Sequence, residues 1–283
     1  MGGIKDKEKV AELCGAIMGD GWIEERERGF FIAGDPLEDK EYYDQYFLGL
    51  INGILGINTK TKNFPYWRVY GISLYKKELI QKLLSFGLAK GKKVKSAYVP
   101  KWVSNSNREV AFSFLRGLFD TDGCIFCQKD YTKYADKFNS KYHTKIRIRI
   151  GCISSKLIDQ IFILCKKYGF KVVRRTIKRG FSYHRNRCDT HILEINELNS
   201  INRWFNELKP ANPKHLTKYK IWKKFGFCPP RTSIQERKDI LKNTLDPYKL
   251  YAGVPERSNG LRSRRSGLVP AEVRTLSPAF NRG

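Results

Sequence analysis

The sequence predicts an α+β protein built from two tandem αββαββα repeats, each beginning with an apolar helix that ends in Asp-Gly. "LCGAIMGDG" (13–21) and "LRGLFDTDG" (115–123) have the same length and the same ending. Each stretch is followed by segments with strand-like alternation and then by segments with helical periodicity. The two acids, Asp20 and Asp122, lie roughly 100 residues apart, a plausible length for one α+β unit.

The first repeat is assigned to residues 1–103 and opens with a helix over 8–18. Apolar residues recur there at helical spacing, at Val10, Leu13, Cys14 and Ile17. "GFFIAG" is predicted to be a strand, and a helix is predicted over 40–55. The strands "INTKTK" and "YWRVYGI" and a helix over 76–86 complete the repeat.

The second repeat is assigned to residues 104–228. Pro100 and the Ser/Asn cluster of "YVPKWVSNSN" indicate a break before it, and Ser106 with Glu109 predicts a capping box that opens its first helix. Strand "KIRIRIGCI", helix "SKLIDQIFILCKKYGF", strands "KVVRRTIK" and "THILEIN" and helix "ELNSINRWFNELK" follow. A helical extension over 229–250 and a disordered basic tail over 251–283 are expected to end the chain.

The charge of the chain points to a polyanionic partner. Lys plus Arg number 54 against 28 Asp plus Glu, a formal charge of +26, which is useful opposite nucleic acid. A membrane surface is the rival partner, but no apolar run approaches the ~20 residues that span a bilayer. Seven cysteines in scattered positions indicate reduced thiols and an intracellular protein, in the cytoplasm, the nucleoid or an organelle matrix. Cys124 and Cys127 form a single CxxC pair, for which two small strand residues are a better explanation than zinc.

The two Asp-Gly helices carry small residues four apart, Gly15 with Gly19 and Gly117 with Thr121. Small residues at this spacing allow two helix backbones to pack closely. The helix ends would then bring Asp20 and Asp122 together, where two carboxylates and the negative ends of two dipoles require a cation. Oxygen ligands suit Mg²⁺. A simple turn that closes a core helix is the alternative, and the presence of two copies disfavours it.

Alternating charges predict a basic sheet face. Along "KIRIRI", Lys145, Arg147 and Arg149 alternate with isoleucines, so the cations share one face of the strand. A solvated strand face is the alternative, judged weaker because no acid relieves the three cations. The other basic residues expected to contact DNA are Arg26, Arg28, Lys60, Lys62 and Arg68 in the first repeat, and Arg174, Arg175, Lys178, Arg179, Arg185 and Arg187 in the second.

These features resemble the LAGLIDADG homing endonuclease family, in its single-chain form with two motifs. "LRGLFDTDG" matches the nine-residue motif at Leu115, Gly117, Leu118, Asp120, Asp122 and Gly123, and "LCGAIMGDG" matches at Leu13, Gly15, Ile17, Asp20 and Gly21. Met18 departs from the motif's first Asp, at a variable position that does not bind metal. "VPKWV" is similar to the family's junction between repeats, and the resemblance covers about residues 8–227.

The resemblance implies a monomeric saddle of two antiparallel sheets with helices on the outer face. It implies that the sheets lie in the major groove of double-stranded DNA and that both strands are cut across the minor groove, leaving 3′ overhangs. Asp20 and Asp122 would then hold two or three divalent ions, expected to be Mg²⁺, with the carbonyls of Gly19 and Thr121. Bound metal would activate water for phosphodiester hydrolysis, and a lysine near each phosphate would stabilise developing charge. The candidates are Lys90, Lys92 and Lys93 in the first repeat, and Lys209 and Lys214 in the second; a surface role is as good an explanation for each.

Other functions are compatible with the same sequence. An RNA maturase acting on its host intron, or a catalytically silent nucleic-acid-binding protein, is possible on the same scaffold, although both acids are present. A basic transcription factor would leave the paired Asp-Gly helices unexplained. The tail over 252–279 is compatible with codons of a tRNA gene, since "VRT" (273–275) can be encoded as GTT CGA ACC. The reading frame is then expected to run through a tRNA gene, and a mobile element beside such a gene would suit a homing enzyme.

Overall fold

The computed structural model describes residues 6–91, 97–129, 142–178, 181–182, 185–186 and 188–252. Lys92, Arg179 and Arg187 lie outside the described residues, as does Lys93. The tail lies outside them too, except that its first two residues end a short helix. No helix in these ranges is both long and apolar enough to cross a membrane.

The first repeat contains four strands and the helices around them. Its elements are α1 (Lys7–Asp20), β1 (Gly21–Ile23), β2 (Phe30–Gly34), α2 (Lys40–Tyr42), a π-helical segment (Tyr43–Phe47), α3 (Leu48–Leu55), β3 (Lys62–Phe64), β4 (Val69–Leu74) and α4 (Lys77–Ser85). The strands form one antiparallel sheet in the order β1-β2-β4-β3. The short helix α5 (Lys101–Ser104) then leads into the second repeat.

The second repeat follows the same order. Its elements are α6 (Arg108–Asp122), β5 (Gly123–Gln128), β6 (Lys145–Cys152), α7 (Ser155–Lys167), β7 (Val173–Ile177), β8 (Phe181–Ser182), β9 (Arg185–Asn186), β10 (Thr190–Ile195), α8 (Leu198–Arg203) and a second π-helical segment (Trp204–Leu208). Its sheet has the order β5-β6-β10-β7, and β8 pairs with β9 as a separate hairpin. Two four-stranded antiparallel sheets with helices confirm the predicted α+β class.

The sheets bury one face against helices, because their residues alternate between the two environments. Ile146, Ile148 and Ile150 of β6 are at most 1% exposed, while the residues between them are half-buried on the other face. Helices α1 and α6 are buried along most of their length and lie side by side at the centre of the molecule. A single apolar core therefore connects the two repeats.

Two local predictions were wrong. Helix α6 begins after Asn107, whose side chain accepts a hydrogen bond from the Val110 amide at 3.2 Å, so Asn107 rather than Ser106 is the N-cap. The Ser106 hydroxyl instead donates to the Val103 carbonyl of the preceding turn. The predicted strand "INTKTK" reduces to its last residue, because pairing with β4 begins only at Lys62.

The extension after the second repeat is helical and packs on both halves. Helix α9 (Pro213–Phe225) still belongs to the second repeat, and α10 (Ile234–Leu241) and α11 (Lys249–Ala252) form the extension. Arg237 of α10 is fully buried, and its Nη2 lies 2.9 Å from both carboxylate oxygens of Glu38 in the first repeat. The extension thus ties the C-terminal segment to the first repeat.

Candidate active site and nucleic-acid interface

The helix pair at the centre depends on two reciprocal glycines. A Cβ placed on Gly15 would lie 2.0 Å from the carbonyl oxygen of Phe114, and one on Gly117 would lie 2.0 Å from the carbonyl oxygen of Glu12. The backbones are therefore in direct contact at both positions. Because the two contacts are reciprocal, the two helices are related by a pseudo-twofold axis.

This packing brings the two helix ends together. A Cβ on Gly19 would meet the Thr121 side chain and would lie 3.2 Å from the Asp122 amide nitrogen. Asp20 and Asp122 are the last residues of α1 and α6, and both are half-buried. The buried Tyr43 hydroxyl donates to Oδ2 of Asp20 at 3.3 Å. Burial and the charges of Asp20 and Asp39 raise the pKa of Tyr43, which keeps this donor protonated.

Lys214 is the lysine that lies at this site. Its Nζ is 2.7 Å from Oδ1 of Asp39 and donates to the Thr121 carbonyl at 3.1 Å. Burial alone would lower the pKa of Lys214, but the charges of Asp39 and Asp20 and the hydrogen bond to Asp39 raise it. The side chain is therefore an ammonium, held beside the residues predicted to bind metal.

A buried clamp sets the position of Lys214. The amides of Ala211 and Asn212 donate to the Asp120 carboxylate at 2.8 and 3.1 Å. The Asn212 side chain donates to Oδ1 of Asp39 at 2.7 Å and to the Asp120 carbonyl at 2.8 Å. Burial raises the pKa of Asp120 to about 7, although the two amides favour its ionised form. Asp39, Asn212 and Asp120 were not among the predicted site residues.

The sequence contains signals for two of the three clamp residues. Asp120 stands at the motif's first acidic position, and Asn212 precedes Pro213, a frequent way to begin a helix. Nothing local marks Asp39, which reaches the site from the first repeat. The first repeat has buried Met18 at the position of Asp120, so an equivalent carboxylate clamp is not possible there.

The other lysine candidates differ in their placement. Lys209 is exposed at the end of the π-helical segment, in the left-handed region with φ 51°. Lys90 forms an ion pair with Glu27 on the surface of the first repeat. Lys92 lies outside the described residues.

The second sheet exposes the predicted basic face, with one correction. Glu194 of β10 lies opposite Arg149, is 1% exposed, and accepts from Arg147 and Arg149 at 2.8 Å each. The prediction that no acid relieves these cations was therefore wrong. Burial would raise the pKa of Glu194, but its hydrogen bonds and the arginine charges lower it. The acid holds the two guanidinium groups in place on the sheet surface.

Strand β7 separates two neighbouring arginines that were predicted to act together. Arg175 is on the basic face, with Nη2 3.8 Å from Oε1 of Glu194. Arg174 points to the helix side and pairs with Asp159 of α7, away from the basic face, so its role as a DNA contact stays a prediction. Lys178 is exposed just after the strand, and Arg185 lies in β9.

The basic residues predicted in the first repeat lie mainly at the sheet margins. Arg26 is exposed in the β1–β2 hairpin, where Arg28 pairs with Glu24 at 2.6 Å. Lys60 is exposed before β3, and Arg68 occupies the β3–β4 turn with φ 54°. Lys62 alone of these lies within a strand, and its Nζ is 5.2 Å from the centre of the Phe64 ring.

The donors at the helix ends fit a hard cation that retains water. The described residues hold no cluster of three or more His, Cys, Asp or Glu side chains suited to a metal. Magnesium is commonly bound by one or two carboxylates, with waters and substrate phosphates completing its ligands. Asp20 and Asp122 match that requirement. The Thr121 carbonyl accepts from Lys214 but keeps a second lone pair.

The Cys124–Cys127 pair does not form such a site. The two residues are three apart on β5, so their side chains lie on opposite faces of the strand. Cys127 contacts Cys228 instead, and all seven cysteines are unbridged.

The fold and the site define a two-repeat α+β protein with an aspartate at each of two adjoining helix ends. Residues 109–209 match the family model described as a LAGLIDADG-like domain. A LAGLIDADG-like domain therefore matches most of the second repeat, in agreement with the resemblance drawn from the sequence. No curated protein matches the chain.

Solved structures are similar to the chain at low sequence identity. Meganuclease I-SmaMI bound to uncleavable DNA with a TTGT central four is 13% identical, with 90% of this chain and 99% of that chain covered and a TM-score of 0.51. I-DmoI in complex with DNA and Ca is 15% identical, with 76% and 97% covered and a TM-score of 0.47. Full-length DUF199/WhiA from Thermatoga maritima is 14% identical, with 86% and 68% covered and a TM-score of 0.44.

Proposed function

We propose that the chain is a site-specific homing endonuclease that cuts both strands of a long DNA target by metal-dependent hydrolysis, leaving 3′ overhangs. The observation that carries this proposal is the contact of α1 and α6, which places Asp20 and Asp122 at adjoining helix ends. Helix C-termini disfavour negative charge, so a bound cation would explain why two acids adjoin in this position.

Asp20 and Asp122, with the carbonyls of Gly19 and Thr121, would hold two or three Mg²⁺ ions. When bound, such ions supply a nucleophilic water and stabilise the leaving oxygen. The chain's own contribution is electrostatic: Lys214 is a fixed ammonium that offsets charge developing on a phosphate. Asp39 and Asn212 keep it from swinging into solvent. Lys209 and Lys92 remain candidates for a second such role.

The partner is double-stranded DNA, bound by one chain. The basic face of the second sheet offers Lys145, Arg147, Arg149 and Arg175 to the groove and its phosphates. The first repeat would add Lys62 and the marginal Arg26, Arg28, Lys60 and Arg68, and the β8–β9 hairpin would add Arg185. Intron homing as part of a mobile element, inside the cell, is the biological setting that follows from this activity.

The test is cleavage of a library of long DNA targets by the purified chain with Mg²⁺. Discrete double-strand cuts are expected, and Asp20→Asn or Asp122→Asn should each abolish cutting while DNA binding is retained. Glu78→Gln, which neutralises an exposed acid on the outer helix α4, is the matched control and should cut normally. Uncut DNA together with stimulated splicing of a host intron would instead identify a maturase. Binding without either activity would identify a silent nucleic-acid-binding protein.

A further inference from the structure

The two sheets can be compared residue by residue, because each is anchored to its motif glycine. Gly21 pairs with Ile32 in the first sheet, and Gly123 pairs with Ile150 in the second. One step further along, Trp22 pairs with Phe31, while Cys124 pairs with Arg149. These pairs occupy matching positions on the outward faces of the two sheets.

The third strand extends the match. Phe31 pairs with Ser73 on β4, and Arg149 pairs with Glu194 on β10. At corresponding places the first sheet therefore carries phenylalanine and serine where the second carries arginine and its buried carboxylate. The repeats share a fold but present different chemistry to a common partner.

The outward face of the first sheet is aromatic. We call the aromatic face the set Trp22, Phe31, Phe64, Trp67 and Tyr75. Phe31 lies at its centre, with ring centroids 5.7 Å from Trp22, 6.3 Å from Phe64, 6.0 Å from Trp67 and 5.7 Å from Tyr75. Tyr75 is 61% exposed, so the rings reach solvent. Lys62 lies over the Phe64 and Tyr75 rings, at 5.2 and 5.7 Å from their centres. An aromatic surface of this kind, on the side of the sheet away from the helices, is typical of a binding surface.

The outward face of the second sheet is built for hydrogen bonding. We call the arginine face the set Arg147, Arg149 and Arg175 around Glu194. Arg149 also stacks over Phe126, with its guanidinium carbon 4.8 Å from the ring centre. Held by carboxylate and ring, these guanidinium groups have little freedom, which suits the bidentate contact of arginine with O6 and N7 of guanine.

Phe31 and Phe64 carry no hydrogen-bonding group, and the single indole N–H of Trp22 cannot make a bidentate contact of this kind. A base edge covered by an aromatic side chain loses water without gaining a hydrogen bond, which penalises the polar edges of G·C pairs. Thymine alone presents a methyl group in the major groove, and apolar side chains contact it favourably. The +26 charge supplies nonspecific attraction to the phosphates, so the aromatic face need not supply it.

We propose that the two half-sites of the DNA target differ in base composition: the aromatic face selects thymine methyl groups, and the arginine face selects guanine. This rests on the proposed function in one respect, that double-stranded DNA is the partner; it does not require cleavage. The first repeat would thus recognise its half-site by apolar contact, centred on Trp22 and Phe31.

The experiment selects bound DNA from a random duplex library with the full chain in EDTA, so that binding is measured without cutting. One half-site is expected to be rich in thymine and the other in guanine. Replacing thymine by deoxyuridine, which removes only the methyl, should weaken binding about fourfold per contacted methyl in the first half-site. The same replacement in the guanine-rich half-site should have no effect.

A double substitution, called the graft, shows which repeat binds which half-site. Phe31→Arg with Ser73→Glu copies the matched pair of the second sheet and should shift one position of the thymine-rich half-site to guanine. Leu37→Arg, at a residue 85% exposed in the loop before α2, adds a charge elsewhere and should change no preference. A melting curve for each variant verifies folding.

The possible results separate the two proposals. Half-sites of equal composition, or equal loss from deoxyuridine in both, would overturn the inference, as would a folded graft that keeps the original preference. Concentration-dependent self-association of the chain, lost in Phe31→Arg, would instead make the aromatic face a contact between copies. Asymmetric binding without cleavage would leave the inference standing and overturn the nuclease. Failure to bind any duplex would overturn both.

Discussion

The contact between α1 and α6 should not tolerate a single added methyl group. In Gly15→Ala or Gly117→Ala the new Cβ would lie 2.0 Å from a backbone oxygen of the facing helix. Backbone atoms within a helix cannot rotate away as a flexible side chain can. The two helices must therefore separate, or the pair must distort, in either variant.

The size of the effect follows from these distances. Moving the Cβ from 2.0 Å to the ordinary contact distance of 3.4 Å requires a separation of about 1.4 Å. Overpacking of a core costs about 1–3 kcal/mol, and a rigid backbone puts this case at the upper end. Alanine recovers up to about 1 kcal/mol through its helix propensity, so a net loss of about 2 kcal/mol in unfolding free energy is expected. Separation of Asp20 from Asp122 by about 1 Å should slow cleavage about 100-fold.

Chemical denaturation of each variant and single-turnover cleavage well below its melting temperature measure the two effects. Gly49→Ala is the matched control, because Gly49 is an exposed helical residue with nothing within 4 Å of an added Cβ. It should become more stable by up to about 1 kcal/mol and cut normally. The helix-contact argument would be refuted if Gly15→Ala were as stable as Gly49→Ala and cut at the wild-type rate.

Three further predictions concern charged and titrating groups. Lys214→Met should lower the unfolding free energy by about 3–5 kcal/mol, because it leaves Asp39 buried without its cation. The double variant with Asp39→Asn should regain most of this stability, measured by chemical denaturation. Its cleavage rate, measured by single-turnover kinetics, should stay as low as that of Lys214→Met. Glu194→Gln should reduce discrimination between target and random DNA about tenfold and should strengthen binding to random DNA, both measured by competition binding. Unchanged discrimination would contradict the role of Glu194 in holding Arg147 and Arg149 in place. Burial and nearby lysines lower the pKa of His215, so the unfolded chain takes up its proton first and stability falls as pH drops below about 6.5. His215→Gln should flatten this decline by up to about 1.4 kcal/mol per pH unit in denaturation at pH 7 and pH 5, and identical slopes would count against it.

The central helix pair could be predicted because its signals are local and occur twice. Gly15 and Gly117 stand out within apolar helices, and Asp20 and Asp122 follow them at the same interval. The alternation around Arg147 likewise determines which side chains share a strand face. These patterns need only the period of a helix or strand, not knowledge of which strands pair.

Other contacts depend on pairing between distant segments. Glu194 and Arg149 become neighbours only through the register of β10 on β6, and Arg174 leaves the basic face because of where β7 lies over α7. The aromatic face is another case, since Trp22, Phe31 and Phe64 belong to three different strands. No single stretch of sequence shows that their rings meet.

By itself, then, the sequence established the duplicated α+β architecture, the paired helix-terminal acids and the large positive charge, because composition, periodicity and repetition are properties of the linear chain. Only the tertiary structure decided that Lys214 is held by Asp39 of the other repeat and by the Asp120 clamp. It also decided that the two sheets differ in chemistry at matching positions. The physical reason is that hydrogen bonds and ion pairs act over a few ångströms in space, whereas these partners are separated by up to 175 residues along the chain.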